Sequence, residues 1–263
     1  MDETYSDFTL PRAAWAVALT GMLVPAERHR EIRARFYGAL AQVVGSKPGI
    51  VPAFQEVHAA ALFPLSNDDD RIAFLQEMAS LITEFDLSLY RVGYVRSRDL
   101  LAMNGSDKSI LGLCFGGILE LLKPELERSS IWPVMETDRT DEQDKTFPAQ
   151  IQLSDYFESH VGSDVMSRDS RNLGEVLYST KRSIHGSIVD CAAYLLNVRT
   201  VAGLGLPLSP FKQRIHEVAK TLAPAVRFDE VIKMRFNRPP KGHQPTGPYR
   251  FAFRITPSDT HDI

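Results

Sequence analysis

Apolar positions along the chain fall into two kinds of block. In the first kind they run on. Trp15 to Val24 (WAVALTGMLV) is apolar at nearly every residue and stops at Pro25, which predicts a strand buried on both faces. Leu87 to Val95 (LSLYRVGYV) has strand composition. Phe54 to His58, Ile131 to Met135 and Val176 to Tyr178 are shorter strand candidates, and a loop is expected from Glu136 to Lys145. In the second kind the apolar positions recur at helical spacing. Ile72, Leu75, Met78, Ile82 and Phe85 follow the acidic run Asn67-Asp68-Asp69-Asp70, a helix start with its acids at the positive end of the helix dipole. Pro25 stands at the mouth of a helix expected from Ala26 to Val44, with Gly45 as its stop. Lys108 to Leu122, Gln150 to His160 and Ile184 to Val201 are further helices, the first of them ended by Pro124.

Strands and helices therefore alternate over residues 1–200. That predicts an α/β domain with a mixed sheet and helices on its faces, without internal repeats. After Ala202 the pattern weakens. Gly203, Gly205, Pro207 and Pro210 mark a joint, and a short helix is expected from Phe211 to Leu222. Pro239, Pro240, Gly242, Pro245, Gly247 and Pro248 then oppose regular structure, and Tyr249 to Ile255 is the last strand candidate. The expected organisation is an α/β domain over 1–202 and, over 203–263, a C-terminal helix with a basic, proline-rich extension.

Composition narrows the class. The chain has 263 residues, which at ~150 per domain is one large domain, or one with an appendage. Hydrophobic residues at 44% and charged residues at 24% suit a folded core rather than a disordered chain. Cys114 and Cys191 have no CxxC partner and support neither a disulfide framework nor a thiolate zinc site. No apolar run approaches the ~18 residues of a membrane span, and the acids at Asp2 and Glu3 replace a basic signal-peptide start, so a soluble cytoplasmic protein is expected.

Charge changes the picture more. Lys+Arg 30 against Asp+Glu 33 gives −3, which excludes a cationic nucleic-acid coat. The total is an average of opposites. Glu136 to Lys145 holds five acids and two bases, net −3, whereas Arg227 to Arg254 holds seven bases and two acids, net +5. In that tail Arg235, Arg238, Lys241 and Arg250, interleaved with Phe236, Tyr249, Phe251 and Phe253, are candidate contacts to nucleic-acid phosphates and bases. Packing on the domain or on a second copy, as a homo-oligomer, is the plainer use of the same segment.

Acids recur at the ends of apolar strands. Asp2 and Glu3 stand at the start of the chain, and Asp138 follows Ile131 to Met135. Glu56 and His58, two apart, share a face of a strand. Asp190 lies within the helix from Ile184, ~120° from the centre of the stripe Ile184, Ile188, Cys191, Leu195 and Val198, on the side it shares with Ser187 and Tyr194. Each of these has an ordinary reading as a solvated surface charge. Together they make sense around a cation, because clustered carboxylates repel or protonate unless a metal neutralises them. Mg²⁺ and Mn²⁺ favour such oxygen donors. The other histidines (His29, His160, His185, His216, His243 and His261) have no ligand spacing and read as non-catalytic.

The motifs Asp2-Glu3-Thr4, Trp15 to Pro25, Glu56-Val57-His58-Ala59, Asp138, and Ser179 to Ser183 leading into Asp190-Cys191-Ala192-Ala193-Tyr194 resemble the bacterial and phage "domain of unknown function thirty-eight hundred" family, over roughly residues 1–200. The chain departs from the family pattern in having only Met1 before Asp2, Tyr5 where a glycine is usual and Ser187 where a glutamine is usual. The resemblance implies a ribonuclease H-like fold and metal-dependent nuclease chemistry. It would make Asp2, Asp138 and Asp190 the metal carboxylates and Glu3 and Glu56 further ligands or a general base. His58 would shuttle a proton or orient a ligand, and Lys181 would contact phosphate. The competing expectations are a catalytically silent binding or scaffold protein of the same fold, as in phage defence or a mobile element, and a hydrolase of smaller phosphates.

Overall fold

In the computed structural model of the protein, the described residues are 2–6, 16–44, 57–59, 67–95, 114, 117–118, 121–122, 135–138, 176–179 and 183–232; residues 2–6, 135–138 and 176–179 are described by strand and register. The two continuous apolar runs form the middle of a sheet. β2 (Ala16–Leu23) pairs antiparallel with β3 (Ser88–Val95) along its whole length, Ala16 opposite Val95 and Leu23 opposite Ser88. β1 (Asp2–Ser6) runs antiparallel along the outer side of β2, and β6 (Val226–Ile232) runs parallel to β3, so the order is β1-β2-β3-β6. β4 (Met135–Asp138) and β5 (Val176–Ser179) form a separate parallel pair. The architecture is mixed α/β.

Four helices share a core with the larger sheet, the third packing directly against it. α1 (His29–Val44) follows a 3₁₀ turn at Ala26–Arg28. α2 (Asp68–Glu84) starts in a capping box. Asp70 N–H donates to Asn67 Oδ1 at 2.8 Å and Asn67 N–H donates to Asp70 Oδ2 at 3.2 Å, so two backbone donors that the helix cannot satisfy find side chains. α3 (Ile184–Gly203) is capped by Ser183, whose Oγ accepts from Gly186 N–H at 3.3 Å. α4 (Pro210–Lys220) has Ser209 as its cap and Pro210 in its first turn, where a missing N–H costs nothing.

Ile32, Phe36 and Leu40 of α1, Phe74, Leu75, Met78, Leu81 and Ile82 of α2, Ile188, Leu195 and Leu196 of α3, and Ile215 and Val218 of α4 fill one core with Leu87, just before β3, and Leu89 of β3. α3 is the central element, with apolar burial on most of its circumference. On the opposite face of the sheet lie the helical residues 114, 117, 118, 121 and 122. Cys114 Sγ lies 3.7 Å from Val17 O, and a Cβ added at Gly117 would sit 3.1 Å from Val92 Cγ1, so glycine lets this layer rest directly on β3. Gly93 in mid-strand has less room still, since a Cβ there would meet Ala18 Cβ at 2.8 Å.

Arg91 is the one fully buried charged side chain among the described residues. From β3 it donates through Nη1 to Asp229 Oδ1 of β6 at 3.0 Å and to Thr200 Oγ1 of α3 at 2.7 Å, and through Nη2 to Asn197 Oδ1 at 3.4 Å. Thr200 passes its own proton to Leu196 O at 3.0 Å. The carboxylate and the amide and hydroxyl oxygens replace most of the water that the guanidinium has lost. Arg91 Nε and the neighbouring buried Thr20 Oγ1 remain without a hydrogen-bond partner. Asp2, Thr20, Arg91 and Asp229 occupy a single register row across all four strands.

Most expected elements appear within a residue or two of their expected bounds, and three findings differ. The loop expected from Glu136 begins instead as strand, because pairing with β5 (Met135 opposite Val176, Asp138 opposite Ser179) outweighs the polar composition of Glu136-Thr137-Asp138. β6 was not foreseen. Its alternation is blurred by Asp229-Glu230, and only the partner Arg91 makes an inward Asp229 favourable. The expected boundary at 202 falls within one core: α4 contributes Ile215, Val218 and Ala219 to it, and β6 completes the sheet. The expected helix at 150–160 and the strand at 249–255 lie outside the described residues.

Removing the carboxylate in Asp229→Ala leaves Arg91 charged and buried, and is expected to cost about 3–5 kcal/mol in urea unfolding. The exposed pair Arg214–Asp69, at 2.7 Å, is the control, and Asp69→Ala should cost about 1 kcal/mol or less.

Burial pushes the Cys114 thiol up to about 12 from its ordinary 9.0. Burial, with Cys114 nearby, also pushes the Tyr94 hydroxyl up to about 12 from 10.0. Both protons are held more tightly in the folded state than in the unfolded chain. Their contribution is therefore complete below the unfolded values and is lost as pH rises from about 9 toward 12. The urea midpoint should fall over that range, and should fall less steeply in Cys114→Ala.

Candidate functional site

Asp190 sits two turns into α3, with its side chain 27% exposed. Its Oδ2 accepts the backbone N–H of Ala59 at 2.8 Å, a contact spanning 131 residues. The same oxygen lies 3.9 Å from His58 Nδ1, too long for a hydrogen bond but within ion-pair range. Two of the sequence motifs, Glu56-Val57-His58-Ala59 and the helix around Asp190, therefore meet in space.

The local sequence explains how. Val57 and Ala59 are 3% and 2% exposed and anchor the short segment in the core by alternation, while His58 between them is turned outward and half exposed. The Ala59 N–H then faces the partly buried carboxylate. A hydrogen bond to an ionised group contributes about 1.5–3 kcal/mol, enough to hold Asp190 in one orientation. His58, beside it but more exposed, has one ring nitrogen toward the carboxylate.

The remaining predicted residues divide into those on described elements and those beyond them. Asp2 and Glu3 lie on β1, opposite Thr20 and Leu19 respectively. Asp138 is the last residue of β4, opposite Ser179 of β5. α3, which carries Asp190, packs alongside β1, which carries Asp2, and touches β4, which carries Asp138. Glu56, Lys181 and the tail residues Arg235, Arg238, Lys241 and Arg250 lie outside the described residues. Among the described residues no three His, Cys, Asp or Glu side chains form a group that could hold a metal ion, and no helix is long and apolar enough to cross a membrane.

The helix carries more than Asp190. Ser187, one turn before it, is buried. Tyr194, one turn after it, is half-buried: burial pushes its hydroxyl up and the neighbouring Arg71 draws it down. Arg71 itself lies over the Phe211 ring at 4.3 Å and 3.3 Å from Asp68 Oδ1, which joins α2, α3 and α4 behind the site. Sequence spacing missed a second meeting on α3, where His29 Nδ1 comes within 3.2 Å of His185 Nε2. The two are 156 positions apart, so no local pattern signals them.

No family model matches this sequence, and no curated protein or solved structure matches it either.

Asp190→Ala should release the 57–59 segment. The Ala59 amide is expected to lose its protection in hydrogen exchange while amides of α2 keep theirs, and a wild-type exchange rate at Ala59 in the variant would show that the bond does not hold the segment.

Proposed function

We propose that the chain is a divalent-metal-dependent phosphodiester hydrolase, a nuclease, on a ribonuclease H-like α/β domain. The observation that carries the reading is the contact of Asp190 with the His58-Ala59 segment, which joins two motifs that the sequence holds far apart. The neighbourhood of β1 and β4 with α3 supports it further. The donor chemistry fits. Asp2, Asp138 and Asp190 would offer hard oxygen donors of the kind Mg²⁺ and Mn²⁺ take, and the Ala59 N–H pre-orients one of them. Bound there, the metal supplies activation of a water and charge stabilisation of the leaving oxygen.

The chain's own groups have separate tasks in this reading. Asp190, held by Ala59, keeps its carboxylate aimed without a rotamer search. His58 passes a proton between the reacting group and solvent, with its Nδ1 3.9 Å from the Asp190 carboxylate. Glu3 and Glu56 serve as further ligands or as the general base. Lys181 holds a phosphate oxygen, and the basic tail with Arg235, Arg238, Lys241 and Arg250 tracks the phosphate backbone.

Single- and double-stranded DNA and RNA, incubated with Mg²⁺ or Mn²⁺, test this. Cleavage should appear with the wild type and fall in Asp138→Asn and Asp190→Asn by more than the roughly 10–100-fold typical of an outer partner of a ligand. His58→Gln should lower the rate by about 10²–10⁴-fold and remove one limb of the pH profile. Metal-dependent cleavage on none of the substrates overturns the nuclease reading; binding at low salt that persists without cleavage would point to the binding protein of the same fold.

A further inference from the structure

We propose that His29 and His185 form a two-histidine site for an imidazole-preferring divalent ion, Zn²⁺ or Ni²⁺, that clips the start of α1 to the start of α3. His29 is the first residue of α1 and His185 the second of α3. Their facing nitrogens, Nδ1 and Nε2, lie 3.2 Å apart, with the rings 5.0 Å between centroids and inclined at 67°. Two imidazole nitrogens at 2.0–2.1 Å from one tetrahedral ion would lie about 3.3 Å apart. The observed separation matches that bite, and edge-on rings let both lone pairs turn toward one point without a stacking clash.

The same geometry serves a direct hydrogen bond when one ring carries its proton on the facing nitrogen and the other does not. The ion replaces that single proton and is held by both rings, with water completing its coordination. Access is open, since His29 is exposed and His185 only partly covered. Arg28, next in sequence to His29, is turned to Glu31 at 2.8 Å and is thereby partly neutralised.

This site is chemically distinct from the carboxylate site around Asp190 and does not rest on the nuclease reading. Nitrogen pairs select Zn²⁺, Ni²⁺ and Cu²⁺, whereas carboxylates select Mg²⁺ and Mn²⁺. Asp190 is five positions after His185, about 7.5 Å along the helix axis, so a clip at His185 would anchor the turn that leads to the carboxylate.

The test is titration of the full chain, free of any polyhistidine tag, with Zn²⁺ and with Ni²⁺ at neutral pH, followed by calorimetry and by thermal unfolding. One ion should bind per chain and raise the melting temperature. His29→Gln and His185→Gln should each lose the binding and the shift, while a His58→Gln, Asp190→Asn double variant keeps both. Because His29 is exposed, His29→Gln should fold as the wild type does, which its melting temperature without metal checks. Absence of binding in the wild type overturns the proposal. So does binding that survives in both His29→Gln and His185→Gln, or that disappears with His58 and Asp190.

Discussion

A guanidinium with no exposed surface stands at the junction of β3, β6 and α3, and the rest of the described fold is arranged so that it can stay there. Arg91 cannot shed its charge, so its burial is tolerable only where oxygen acceptors surround it. Asp229 supplies the countercharge from β6, and Asn197 and Thr200 supply dipoles from α3. Each acceptor ties another element to the sheet. β6 is a parallel edge strand with little of the alternation that would specify it on its own. Its register follows from putting Asp229 opposite Arg91 rather than one residue to either side, which would leave the charge unpaired. The same bond set orients α3, since Asn197 and Thr200 lie one turn apart and both must face β3.

Once α3 is held at its C-terminal half, its N-terminal half presents the polar side chains Asp190 and His185. Asp190 lies two turns before Asn197, on a helix whose other sides are sealed by Ile188, Cys191, Leu195 and Leu196. The carboxylate is left at the border of the core, where a backbone N–H from a distant segment can reach it. Val57 and Ala59 deliver that N–H because they are apolar and His58 between them is not. The result is a pre-oriented acid beside a solvent-facing imidazole. The first turn of the same helix brings His185 to His29, so one buried helix organises two polar meetings, one around a carboxylate and one between two imidazoles.

The sequence was most legible where burial is two-sided or strictly periodic. Ala16–Leu23 and Ser88–Val95 were readable because continuous apolar runs of that length need cover on both faces, and the structure supplies it with α3 on one side and the helical residues around Cys114 and Gly117 on the other. The start of α2 was readable from Asn67 and its acids, because capping is local physics. β6 and the strand character of Glu136-Thr137-Asp138 were not, because their polar residues are stabilised by partners distant in the chain. For the candidate site, the types His58 and Asp190 were legible as residues that could do chemistry, and Asp190's position at the edge of the apolar stripe followed from helical geometry. Their contact was not legible, since nothing local encodes a distance across 131 residues.

Taken alone, the chain determines its alternation of strands and helices, the faces those elements bury and the caps that start α2, α3 and α4, because each depends on neighbours within a few residues. Tertiary structure alone decides that β6 closes the sheet beside β3, that α4 belongs to the core, that Arg91 is buried and paired, and that His58 meets Asp190 and His29 meets His185. Those outcomes depend on desolvated charges and polar groups finding partners. Such groups are tolerated inside a protein only after the chain has brought distant acceptors and donors to within about 3 Å, a condition no local pattern of residues expresses.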